Sequence, residues 1–218
     1  MILTELIKIH LLFQLRNKQI FVATIFFAIF LIFLFTLGFP NMDAKQAEFY
    51  AGVFWISSFF SGNLVLTNQT QLQTNKFQQG VLLTGIDATQ LFFAKLVSSL
   101  IYMLFIQTIL LITMNFFFPF PSNFSIFNMF IYAVLGSLGY LAIGTLFFSM
   151  IEFQNIKDLL ITILFYLLVI PLFIYLHRGT SMIFSMKIPN VLDFILGYDL
   201  IFVFLSGLLY EFVIEDNV

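Results

Sequence analysis

Six apolar stretches, each able to cross roughly 30 Å of bilayer hydrocarbon as a helix of about 20 residues, take up most of this 218-residue chain. They run near Ile20 to Phe39, Phe49 to Thr67, Leu91 to Phe118, Phe124 to Met150, Leu159 to Leu176 and Leu192 to Ile214. Lipid offers no partner for open backbone N–H and C=O groups, so each stretch has to satisfy its own. Nothing in the sequence shows the two-residue alternation of a barrel. The expected fold class is therefore all-α: an integral membrane protein with six transmembrane helices. Composition agrees, with 9% charged residues and a mean hydropathy of +1.04, where a soluble domain carries about a quarter charged. The third and fourth stretches exceed one crossing and are expected to tilt, kink or project beyond the bilayer.

The nine Lys and Arg residues orient these spans. With the N-terminus in the cytoplasm, Lys8, Arg16, Lys18, Lys76, Lys95 and Lys157 lie inside and Lys45, Arg178 and Lys187 outside, as the positive-inside rule favours. Both termini then face the cytoplasm. Residues 1–19 are expected to form an interfacial helix, with Ile2, Leu6, Ile9 and Phe13 on a lipid-facing stripe and Thr4, Glu5, Lys8 and Gln19 opposite. The first apolar stretch is longer than a signal-peptide core of about 7–15 residues and lacks a small-x-small cleavage pattern, so it reads as a retained anchor. Residues 1–218 are expected to make a single transmembrane domain: the interfacial helix over 1–19, two spans over 20–67, a cytoplasmic loop over 68–90, four spans over 91–214 and a tail over 215–218.

Chemical motifs are nearly absent. The chain has no cysteine, which removes disulfides, thiolate metal sites and cysteine nucleophiles together. No G-x-x-x-x-G-K-[ST], H-E-x-x-H or G-x-S-x-G occurs, so the chain is expected to be a non-catalytic subunit with no nucleotide site of its own. A net charge of -2 gives no basic surface for nucleic acid. His10 and His177 are too far apart in the expected topology for one metal site. His177, beside Arg178 at the outer mouth of the fifth span, has the chemistry to ligate haem iron or meet a propionate, although a lone interfacial His next to Arg is more often a solvated helix end. Asp193 and Asp199 in the last span mark an intramembrane polar site or a packing contact, since a carboxylate at membrane depth needs a partner or a hydrated cavity. Pro171 is expected to kink the fifth span and free a carbonyl near Leu167. Gly136, Gly139, Gly144, Gly197 and Gly207 would let helix backbones approach closely.

Between the second and third spans, Asn68 to Gln90 is the one sizeable water-compatible segment. Within it, Phe77 to Thr84 can form two helical turns before Gly85 stops them. Phe77, Val81 and Thr84 share a side, Leu82 lies nearby, and Lys76 and Gln79 complete a short knob suited to a groove in a soluble partner or to the lipid surface. Asp87 is placed to cap the third span.

The run Ala51 to Leu64 (AGVFWISSFFSGNL), then FQQGVLLTG over 77–85 and FFAKL over Phe92 to Leu96, resembles the CcmB family, the haem exporter B permease of cytochrome c maturation. The Trp-bearing second span, the loop ahead of Ala94-Lys95 and the proline-bearing fifth span extend the resemblance over the whole chain. Gln78, Gln79 and Gly85 depart from it, standing where members commonly carry an acidic residue and a proline. The resemblance implies an ABC-2 type permease that works as a homodimer with a separate ABC ATPase. Other membrane haem-handling and haem-chaperone proteins would join it in the bilayer of a bacterial inner membrane or its organellar counterpart. It also implies that ATP sits on the partner subunit, that haem is a substrate and not a bound cofactor, and that Lys76, Phe77, Gln79, Val81, Leu82 and Thr84 form the coupling contact. Two other readings remain open on the sequence: an ABC-2 permease exporting a lipid, polysaccharide or drug, and a non-transporting membrane scaffold.

Overall fold

The computed structural model describes residues 2–39, 46–72, 86–121, 124–154 and 158–215. These form seven helices and no strand: α1 (Ile2–Arg16), α2 (Lys18–Gly38), α3 (Gln46–Leu72), α4 (Ala88–Phe117), α5 (Ile126–Gln154), α6 (Asp158–Phe184) and α7 (Leu192–Glu215). The six from α2 to α7 are long and apolar enough to cross a membrane. The coupling residues Lys76, Phe77, Gln79, Val81, Leu82 and Thr84 lie outside the described residues.

Helix ends depart from the hydropathy boundaries where side chains supply what water would otherwise give. Between α1 and α2 the helix is interrupted by a single residue, Asn17, whose Oδ1 accepts from the Ile20 backbone N–H at 3.4 Å and caps α2. α3 continues past Thr67 into the polar run because Gln69 is buried, with its Nε2 donating to the Lys95 carbonyl at 3.0 Å. α6 continues eight residues beyond Leu176, through His177 and Arg178, to Phe184. There Thr180 Oγ1 donates to the Leu176 carbonyl at 2.7 Å and the indole of Trp55 covers it. Asp87 does occupy the N-cap position of α4, but its side chain makes no capping bond. Instead Oδ2 accepts from Gln90 Nε2 at 3.5 Å.

α5 stands at the centre, packed on α7, α6, α4 and α3, while α2 lies at the edge against α3 and α4. Burial follows that order: 61% of the apolar window of α5 is covered by protein, against 17% for α2, whose remaining face is free for lipid. The core is aromatic, with Phe54, Trp55, Phe92, Tyr132, Tyr140, Phe165 and Tyr210 all buried. α1 packs chiefly on the first turns of α4. Its packed face differs from the stripe drawn from the sequence: Leu6, His10 and Gln14 turn inward, and Ile9, Leu12 and Leu15 are exposed. A polar partner on α4 makes the difference, since a hydrophobicity pattern places only the apolar residues.

Candidate functional site

Two polar centres interrupt the apolar packing. The first sits where α3 ends and α4 begins, at the root of the connection between them. Lys95 is 2% exposed, and its Nζ lies 5.6 Å from the centroid of the Tyr210 ring of α7, a cation–π arrangement that is strengthened by exclusion of water. Ser98 Oγ donates back to the Lys95 carbonyl at 2.9 Å. One turn further, the Ser99 hydroxyl meets two amides, Gln14 Nε2 of α1 at 2.8 Å and Gln69 Nε2 of α3. Three helices thus converge on one buried oxygen. His10, one turn before Gln14, is buried in the same contact. Desolvation, and then the nearby Lys95 charge, push its imidazole down from 6.5 to about 3, so it is neutral at physiological pH.

The second centre lies deeper, on α7. The Tyr198 hydroxyl donates to the Leu168 carbonyl of α6 at 2.6 Å, three residues before Pro171. Proline lacks an N–H and loosens the helical ladder at this point. The next residue, Asp199, is 2% exposed, and neither carboxylate oxygen has a hydrogen-bond partner among the described residues. It rests on the bare backbone of Gly139 in α5, where an added Cβ would collide with Oδ1. Nearby in the bundle, Gln107 Oε1 of α4 accepts from Ser137 Oγ of α5 at 3.1 Å.

The other sequence candidates fall elsewhere. His177 faces α3, its Nε2 3.0 Å from the Glu48 carbonyl and its ring stacked on Phe173. Asp193 is exposed in the first turn of α7. Asp193, Asp199 and His177 thus sit in different surroundings, and no group of three or more His, Cys, Asp or Glu suited to a metal occurs among the described residues.

Hydropathy reasoning missed Gln14, Gln69 and Ser99 as a set. Their one sequence signal is the uncommon placement of amides within the turns that border apolar spans.

A family model described as CcmB protein matches residues 1–213. No curated protein matches the chain.

Proposed function

The chain belongs to the CcmB family, the permease component of an ABC-type haem exporter for cytochrome c maturation, and we propose that it turns the closure of a separate ATPase into helix movement. The single observation that carries this reading is the joint at Ser99. Gln69 near the end of α3 and Ser99 near the start of α4 are hydrogen-bonded, and Gln69 also holds the Lys95 carbonyl. A push delivered to the segment connecting these two helices moves both together, because neither can shift without breaking buried hydrogen bonds.

In this proposal residues 76–84 receive the push, with Phe77, Val81, Leu82 and Thr84 seated in the ATPase and Lys76 and Gln79 at its rim. The N-terminus, α1 and this segment lie on the cytoplasmic side of a bacterial inner membrane. Two copies of the chain work together, and α3 and α4 tilt against α5, α6 and α7. The work is spent on haem movement or on release of a haem-loaded chaperone at the far face. ATP binds only to the partner. Residues 1–218 act as one transmembrane domain, and Asp199, with Tyr198 bonded to α6 near Pro171, lies where α7 must adjust as the two groups of helices move apart.

Phe77→Asp combined with Leu82→Asp tests the seat. The doubly substituted chain is expected to insert in the membrane and to lose the ATPase on co-purification. If the ATPase is retained at the level of the unaltered chain, these residues are not the coupling contact.

A further inference from the structure

An amphipathic helix ahead of a first span commonly lies on lipid and moves with it. α1 is built differently. The face it turns to the protein carries His10 and Gln14 in successive turns below Leu6, and all three are buried. Gln14 Nε2 donates to the same Ser99 hydroxyl that Gln69 of α3 reaches. α1 packs far more on α4 than on α2, the span it precedes in sequence. Only Asn17 separates α1 from α2, so covalent connection ties α1 to one helix while its side chains tie it to another.

We infer that α1 is a moving part of the transporter: α1, the end of α3 and the start of α4 form one rigid unit, with Ser99 as the positioning residue at which the three are joined, and Asn17 is the joint at which this unit turns against α2. The inference rests on the proposed coupling function and adds to it a third helix and a pivot.

Three arguments support the unit. Exchange of the Gln14–Ser99 bond for water is opposed by burial, because each amide and hydroxyl withdrawn from its partner inside protein or lipid is left unsatisfied. Lys95 stands between the His10 side of α1 and the Tyr210 ring of α7. Sliding α1 across it would carry the buried His10 imidazole over the buried Lys95 ammonium. The α1–α2 junction, by contrast, is a single non-helical residue: Asn17 donates its N–H to the Phe13 carbonyl at 3.4 Å and accepts from Phe21 and Ile20 N–H at 2.9 and 3.4 Å, so a turn of α1 against α2 needs a change at this one residue.

The chain has no cysteine, so spin labels can be placed only where they are wanted. In the assembled transporter, with one labelled copy per complex, labels at Leu12→Cys and Ile101→Cys report distances inside the unit. Labels at Leu12→Cys and Phe204→Cys report its position relative to α7. All three sites are exposed. Between the nucleotide-free state and the state held by a non-hydrolysable ATP analogue, the first distance is expected to stay within about 2 Å and the second to change by roughly 5 Å, the scale of one helical turn. A change in the first distance as large as that in the second means that α1 moves separately and overturns the inference while leaving the coupling function standing. Constancy of both distances removes the coupling function, and the inference falls with it.

A functional readout separates positioning from mere folding. Ser99→Ala should lower covalent haem delivered to c-type cytochromes per ATP hydrolysed by about tenfold, the worth of roughly one to two buried hydrogen bonds, with Ser99→Thr restoring it. An unchanged ratio in Ser99→Ala complexes would deny Ser99 the positioning role.

Discussion

Where α1, α3 and α4 meet, helices are joined by side-chain hydrogen bonds; around α5 they are joined by the lack of side chains. The first region gathers Gln14, Gln69, Ser98, Ser99 and Lys95. In the second, Gly136 lies under Trp55 and Leu176, Gly139 under Asp199 and Leu172, and Gly144 under Leu66. Both are answers to one physical problem. Lipid tails are as apolar as leucine, so burying apolar surface does not by itself hold helices together, and close packing or polar contacts must do so. The two answers differ in what they permit. A hydrogen-bonded joint is directional and moves as a block or breaks, whereas glycine-mediated packing is a van der Waals fit that tolerates small sliding and fails when a methyl is added.

The sharpest way to break the comparison is to put that methyl in. A Cβ at Gly136 would come within 2.6 Å of Leu176 Cδ1 and 2.7 Å of Trp55 Cζ3, and both of those side chains are fully buried. Gly136→Ala is therefore expected to cost about 3 kcal/mol, the upper range of overpacking penalties, read as a lower midpoint of thermal unfolding in detergent. Wild-type stability in this variant would show that α5 is held by something other than close approach.

The hydrogen-bonded region is probed by pH. His10 is held near 3 in the folded chain, against 6.5 for the free imidazole. Between those values the undocked helix binds a proton that the docked one refuses, so docking is at full strength above pH 6.5 and weakens as pH falls. At pH 5 the loss is about 2 kcal/mol by linkage. The thiol-reagent reactivity of Gln14→Cys, taken relative to the exposed reference Leu12→Cys so that the loss of thiolate with falling pH cancels, should rise on acidification from pH 7 to 5, and His10→Gln should flatten that rise. A pH-independent ratio would place His10 outside the docked contact.

Much of this was legible in the sequence, and the remainder failed for identifiable reasons. Six spans follow from hydrocarbon thickness alone, and α2, α4, α5 and α7 begin or end within a few residues of the apolar runs. α6 outruns its apolar stretch because His177 and Arg178, which read as a helix end, are followed by Thr180 and its bonds to Leu176 and Trp55. α3 outruns its own because Gln69 finds partners on α4, 26 and 30 positions further along the chain. Such long-range amide contacts leave no periodicity to detect. Asp199 was visible as an unusual residue, but its seat on Gly139 and the neighbouring Tyr198 bond to α6 depend on how three helices cross, which no hydropathy pattern encodes.

Trp55 belongs to both kinds of contact and so measures them against each other at a single side chain. Its ring covers Gly136, while its Nε1 donates to Thr180 Oγ1 at 3.1 Å. Thr180→Val keeps the volume of the side chain and removes the hydroxyl, taking away the acceptor for Trp55 and the local bond to the Leu176 carbonyl of the same helix, while the ring stays on Gly136. Hydrogen bonds between membrane helices average about 0.6 kcal/mol and reach roughly 1.7, so the expected loss is near 1 kcal/mol, the smallest of these effects, seen as a modest drop in the unfolding midpoint. A larger cost than that of Gly136→Ala would reverse the ranking. It would mean that the indole is oriented by its hydrogen bond before it is held by the glycine, and that the polar mode of joining extends from the α1 end of the bundle to the opposite end as well.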